Sequence, residues 1–284
     1  MHINYVTNAD LCNIIRQNLY KIPHDVDGII CIPRGGLFVG TIVAEFLHKP
    51  IYTVESFINQ KDIGCGEAEF GIPLTDFKRY VVIDDSVSSG KSFARTREQL
   101  KNFSYEFIYI ACVGKEPQIP NTDIVLSVIP EFRIFELNFF RSSWVTHCIF
   151  DIDGVLCPNP GYGVDFNEDE YMKHLTNVAP LIPLQYNVLA LCTHRLVKYY
   201  ETTKNWLQKN NISYNQLFML DFKSTQEKLE NLNSDNFRLM KTSVYQHYPE
   251  AVLFVESDYN EAMTIYTNTH RPVLCTDANI ILQD

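Results

Sequence analysis

An α/β architecture in two domains, each a parallel-type sheet with flanking helices, is what the sequence predicts. Three observations carry it. Short apolar runs of strand length alternate with segments of helical periodicity along the whole chain. The alternation restarts near Arg141, where a new apolar run begins at Val145. The length of 284 residues suits two domains better than one.

Thr7-Asn8 reads as a cap for a helix over 7–20, with Leu11, Ile14, Ile15 and Leu19 on one face. Gly28–Pro33 reads as a buried strand, 36–47 as the helix behind it, and Ile51–Val54 as a short strand. Residues 57 to 76 lack periodicity and hold Gly64, Gly66 and Gly71, so a mobile loop is expected there. Strands follow at Val81–Asp84, Phe107–Val113, Ile124–Val128 and Arg133–Leu137, with a helix over 93–100. Beyond the boundary, strands are expected at Val145–Phe150, Val188–Cys192, Leu217–Leu220, Ala251–Val255 and Pro272–Cys275, and helices over 196–209 and 237–247. The domains are then 1–141 and 142–284. No internal repeat relates them.

Composition narrows the function. The formal charge of −10 argues against nucleic acid as main partner, because phosphate backbones draw basic surfaces. No apolar run reaches membrane-span length, and the start, Met1-His2-Ile3-Asn4, lacks a basic-then-apolar leader, so a cytoplasmic protein is expected. Of eight cysteines, Cys31, Cys112, Cys148, Cys192 and Cys275 lie in strand-like runs and no C-x-x-C occurs, which reads as buried free thiols.

The stretch Tyr80-Val81-Val82-Ile83-Asp84-Asp85-Ser86-Val87-Ser88-Ser89-Gly90-Lys91-Ser92 holds the first candidate site. An apolar strand ends in two carboxylates, then a small hydroxyl-rich turn opens a helix. Backbone N–H groups at such a helix start hold phosphate, and the paired carboxylates accept from sugar hydroxyls or bind hydrated Mg²⁺. Pro33-Arg34-Gly35-Gly36 ends an earlier strand, where the glycines admit an anion close to the backbone and Arg34 clamps it. The first stretch resembles the phosphoribosyl pyrophosphate (PRPP) loop of type I phosphoribosyltransferases, and Arg34-Gly35 resembles their pyrophosphate loop. The resemblance implies that Arg34, Gly35, Lys61, Asp84, Asp85, Ser86, Val87, Ser88, Ser89, Gly90, Lys91 and Ser92 bind PRPP. Residues 57–76 stand where that family has its flexible hood. At the position of Ser88 the purine-salvage members carry a carboxylate that contacts the base; its absence here weakens a purine-salvage reading.

The second candidate site begins at Phe150-Asp151-Ile152-Asp153-Gly154-Val155-Leu156. Residues two apart on an extended segment point the same way, so Asp151 and Asp153 face one pocket. This resembles motif I of the haloacid dehalogenase (HAD) phosphatases. Thr193, Lys241 and the segment Phe254-Val255-Glu256-Ser257-Asp258 stand in the order of the other motifs. The resemblance implies Asp151 as nucleophile, Asp153 as acid and base, and Thr193 and Lys241 as phosphoryl-binding groups. Mg²⁺ would be held by Asp151, Asp153 and either Glu256 or Asp258, with Asp258 slightly favoured. Lys223 is the rival of Lys241. Only a minimal cap fits between the first two motifs. His147, His194 and His270, taken singly, read as surface or packing residues.

Together the resemblances imply a bifunctional enzyme using one Mg²⁺ with PRPP and one in the phosphatase site. It would transfer ribose 5-phosphate to an acceptor and then remove the 5-phosphate, leaving a β-ribofuranosyl unit. Fusions of this layout resemble bacterial enzymes of capsule or surface-glycan synthesis, so a sugar or glycan is the expected acceptor, and a homodimer is a possible assembly. Two other readings stay open: a nucleobase phosphoribosyltransferase fused to a nucleotidase, and a non-catalytic PRPP-sensing regulator.

Overall fold

A computed structural model describes residues 2–61, 79–161, 163–164 and 167–284. The chain divides into two compact units, Val6–Arg133 and a second made of the N-terminal residues to Tyr5 with Ile134–Asp284. Strand β1 (Asn4–Val6) pairs with β7 (Arg133–Phe135) in a two-stranded ladder.

In the first unit, Thr7 caps helix α1 (Asn8–Asn18) by a capping box with Asp10, and Leu11 and Ile15 turn inward. Then follow β2 (Gly28–Cys31), α2 (Gly35–Leu47), β3 (Ile51–Thr53), α3 (Val54–Ile58), β4 (Arg79–Val87), α4 (Lys91–Leu100), β5 (Glu106–Gly114) and β6 (Ile124–Val128). The sheet is parallel in the order β3-β2-β4-β5-β6. Gly40 lets α2 lie on β2: a Cβ there would stand 2.2 Å from Cys31 Sγ. The start of the expected loop is helix instead, because Thr53 and Ser56 cap α3 and Phe57 is buried among Tyr52, Tyr80, Phe103 and Phe107. The rest of that loop, 62–76, lies outside the described residues. Strand β4 runs past Asp84 and Asp85, since its ladder with β5 continues to Val87↔Gly114.

The second unit contains β8 (Cys148–Phe150), α5 (Glu168–Asn177), β9 (Val188–Leu196), α6 (Tyr200–Lys209), β10 (Tyr214–Leu220), α7 (Thr225–Glu230), α8 (Asp235–Arg238), α9 (Met240–His247), β11 (Leu253–Glu256), α10 (Tyr259–Thr269), β12 (Val273–Cys275) and β13 (Ile280–Leu282). Its sheet order is β10-β9-β8-β11-β12-β13, parallel except for β13. The expected helix over 237–247 is two helices broken at Leu239, and residues 143–147 form a 3-10 turn rather than strand. The expected boundary after Arg141 falls inside this unit. Ile134 and Phe139 are buried in its core, and Phe139 stacks on Phe150 with ring centroids 6.1 Å apart. The N-terminus joins the same core through Ile3, whose backbone N–H and C=O are both bonded by the Gln283 side chain, at 2.9 and 2.7 Å. Cys31, Cys112, Cys148, Cys192 and Cys275 are buried free thiols. Among the described residues no helix is long and apolar enough to cross a membrane.

Candidate functional site

Ligands of open parallel sheets gather beyond the strand carboxyl ends. In the first unit β4 delivers Asp84 and Asp85 there, side by side with the start of α2. A Cβ on Gly35 would fall 2.2 Å from the Asp85 carboxyl carbon, and one on Gly36 2.6 Å from the Ile83 carbonyl oxygen. The two glycines are therefore what brings the Arg34 turn against the carboxylates. The Pro33–Arg34 peptide is cis, and Arg34 is exposed. Asp84 is buried; its Oδ1 accepts from the Asp85 N–H at 3.0 Å and its Oδ2 from Ser92 Oγ at 3.2 Å. Burial, with the Asp85 charge beside it, pushes the Asp84 carboxyl up to about 8. Two crowded carboxylates of this kind are hard oxygen donors that fit Mg²⁺.

The turn beyond them leaves Ser88 and Ser89 exposed, and Gly90 adopts φ +72°. A Cβ on Gly90 would stand 1.9 Å from the Pro120 carbonyl oxygen, so any other residue is strained there. Lys91 and Ser92 open α4, presenting N–H groups at its start. Val87 is the exception among the expected contacts: it is buried, and its carbonyl accepts from Arg133. Ser86 donates its backbone N–H to Asp85 Oδ1 at 2.8 Å. Lys61 is exposed at the edge of the described residues.

The second unit gathers a different set at the carboxyl ends of β8, β9 and β11. A cavity of about 280 Å³ is lined by Asp151, Asp153, Thr193, Lys241, Glu256 and Asp258 among others. Lys241 Nζ, at the start of α9, donates to Asp151 Oδ2 at 2.9 Å, Glu256 Oε2 at 2.6 Å and Glu261 Oε2 at 2.6 Å. Burial opposes the ammonium, but the three carboxylates outweigh it and hold Lys241 charged. Burial pushes Asp151 up and Glu256 up to about 8, while Glu261, despite burial, is held low by Lys241 and His194. Oxygens of Asp151, Glu256 and Glu261 lie within 4.8 Å of one another, an all-carboxylate set that fits a small divalent cation.

Several expected residues meet here and others do not. Lys241 is buried among the carboxylates, whereas Lys223 is exposed and its backbone N–H bonds Glu227. Glu256 is buried beside Asp151; Asp258 is an exposed cap of α10, accepting from the Glu261 N–H at 2.9 Å. Asp153 differs most from its expected role. Both of its oxygens accept from Arg195, at 2.8 and 2.7 Å. Burial alone would raise it, but the guanidinium wins and holds the carboxyl below its ordinary range. Thr193 is buried with Oγ1 accepting from the Arg195 N–H at 3.3 Å. His194 packs, stacking on Phe237, and it also lines the cavity and pairs with Glu261 at 3.3 Å.

Sequence reasoning missed Arg195 and Glu261. Arg195 stands two residues after Thr193 on β9, so strand alternation places both on one face. Glu261 sits in the first turn of α10, which the apolar pattern did not mark.

Residues 4–129 match the family model of the phosphoribosyl transferase domain. This part of the chain is a type I phosphoribosyltransferase domain. A transcriptional regulator, GfcR of Methanococcoides burtonii, is 26% identical over 120 residues, 42% of this chain and 58% of the relative, so the match spans little more than half of that protein. Among solved structures, the Helicobacter pylori xanthine-guanine-hypoxanthine phosphoribosyltransferase is 16% identical with a TM-score of 0.35, covering 48% of this chain and 92% of that one. A Pyrococcus horikoshii purine phosphoribosyltransferase is 24% identical with a TM-score of 0.31, covering 48% and 87%.

Proposed function

We propose that the chain transfers ribose 5-phosphate from PRPP to a hydroxyl of a sugar or glycan acceptor in a reducing, cytoplasmic setting, and that its second unit, a HAD-type phosphatase domain, then removes the 5-phosphate. The observation that carries the first step is the turn at Asp84–Ser92 with Gly35 pressed against Asp85. The Ser88 backbone N–H, Ser89 and the N–H groups opening α4 bind the 5-phosphate, Asp84 and Asp85 hold the ribose hydroxyls, and Arg34 meets the departing pyrophosphate. Mg²⁺ held by the carboxylates would neutralise the pyrophosphate charge.

The second step draws on the cavity around Lys241. Asp151 attacks the phosphorus as the bond from phosphorus to the ribose 5-oxygen breaks, and the departing oxygen takes a proton from water. A second water then opens the aspartyl-phosphate to release inorganic phosphate, while Lys241 and Thr193 bind the transferring group. Magnesium held by Asp151, Glu256 and Glu261 would supply charge stabilisation. Purified protein given PRPP, Mg²⁺ and an accepted sugar should release pyrophosphate, then inorganic phosphate. Asp151→Asn should halt at the phosphorylated product; a phosphate-free product from that variant overturns the division of labour.

A PRPP-sensing regulator is the second reading, favoured by the similarity to GfcR. The net charge of −10 weighs against a nucleic-acid surface. Tight PRPP binding with no turnover of PRPP by any acceptor would select it.

A further inference from the structure

Glu131 lies just after β6, next to the carboxyl end of β4. Its Oε1 accepts from Ser88 Oγ at 3.1 Å, so a carboxylate stands at the rim of the glycine turn although positions 86 to 92 hold no acid. The placement is braced. Arg133, buried, donates through Nη2 to the Val87 carbonyl at 3.0 Å and through Nη1 to the Ile129 carbonyl at 3.0 Å. This ties the end of β4 to the segment carrying Glu131, and the charges of both Glu131 and Asp85 act on that guanidinium. Glu131 itself stays exposed, as does the neighbouring Phe132 ring, at 46%.

A carboxylate beside a phosphate cradle is repelled by the phosphate, so its useful partner is a hydrogen-bond donor. The reaction brings two kinds of neutral donor. Ribose hydroxyls are taken by Asp84 and Asp85, which leaves the hydroxyl of the acceptor. We propose that Glu131 binds the attacking hydroxyl of a sugar acceptor and takes up its proton during transfer. The inference rests on PRPP-dependent transfer as read above. The acceptor oxygen forms the bond to the anomeric carbon as the bond from that carbon to pyrophosphate breaks. Pyrophosphate leaves with the electron pair, and the hydroxyl proton passes to Glu131 and then to water.

The test separates a base from a structural latch, because Glu131→Gln keeps an oxygen that accepts from Ser88. PRPP affinity is measured by calorimetry with Mg²⁺, and pyrophosphate release is followed with two probes: a panel of methyl glycosides, whose hydroxyls must lose a proton, and azide, which has none to lose. The expected result is PRPP binding within threefold of wild type, azide-dependent release within threefold, and glycoside-dependent release down about 100-fold, in the range of a lost general base. Equal losses with both probes, or no loss with either, would overturn the role. Wild-type protein that uses azide but no glycoside would also overturn it. Failure of wild-type protein to bind PRPP would instead sink the transferase reading itself.

Discussion

Replacing Lys241 by Met isolates the electrostatics of the second unit. The side chain is one atom shorter and loses its charge, leaving Asp151, Glu256 and Glu261 around an apolar group. At an effective dielectric of about 20, each contact of 2.6 to 2.9 Å is worth roughly 6 kcal/mol. Most of that offsets the desolvation of a fully buried ammonium and of the carboxylates, and the outer partner Glu261 is 34% exposed, so its share is discounted. Breaking such a buried pair by removing one partner costs about 3–5 kcal/mol, and that is the expected loss for Lys241→Met at pH 8 without divalent cations. The sign with pH follows from the carboxyls. Asp151 and Glu256 are already pushed above the ordinary carboxylate range, and without the ammonium they hold protons still more tightly than in the unfolded chain. The variant therefore loses stability as pH rises from about 5 to 8, and its deficit shrinks toward pH 5. Urea unfolding followed by tryptophan fluorescence reads this unit alone, because both tryptophans, Trp144 and Trp206, belong to it. Mg²⁺ at about 100 times its dissociation constant should restore about 2.7 kcal/mol. A variant as stable as wild type at pH 8 in EDTA would refute this account of the cluster.

In the first unit, Asp84 titrates at about 8 rather than at its ordinary 3.8, so between those values the folded state holds the proton more tightly than the unfolded one. Metal-free protein should accordingly lose up to about 1.4 kcal/mol of stability per pH unit as pH rises through that window. Asp84→Asn should flatten the profile in thermal unfolding followed by circular dichroism, and should abolish PRPP binding. Gly90→Ala places a Cβ against the Pro120 carbonyl at φ +72°; calorimetry should show PRPP affinity reduced more than tenfold, with a stability loss of about 1–3 kcal/mol.

The arrangement of the first candidate site was legible because it is local. Asp84, Asp85, Gly90 and Ser92 lie within nine positions, and strand-turn-helix geometry alone sets their relation. Gly35 could be named from the Pro33–Gly36 turn, but its approach to Asp85 needed the parallel pairing of β2 with β4, which the sequence does not show. The second site was legible as a list but not as a geometry. Lys241 against Lys223, and Glu256 against Asp258, are choices made by which side chain the fold buries: Lys241 enters the cavity at the start of α9, while Lys223 lies on the surface before α7. The boundary at 141 missed Ile134 and Phe139 because a short apolar segment reads alike whether it ends one core or begins the next.

On the proposed phosphatase reading, the Arg195–Asp153 pair sets a condition on removal of the 5-phosphate. Ribose 5-phosphate leaves an alkoxide, which must be protonated as it departs, and an Asp153 held ionised by two guanidinium bonds has no proton to give. A nitrophenyl phosphate leaves a stabilised phenolate and makes no such demand. With the pair closed, wild-type protein should therefore hydrolyse nitrophenyl phosphate at least 100-fold faster than ribose 5-phosphate. Arg195→Met should narrow that ratio, because a buried Asp153 without its partner takes up a proton. The ratio is internal to each protein, so a loss of folded enzyme in the variant cancels from it. Equal rates with both substrates in wild-type protein would mean that Asp153 is free to act, and that the pair opens whenever a phosphate monoester enters the cavity.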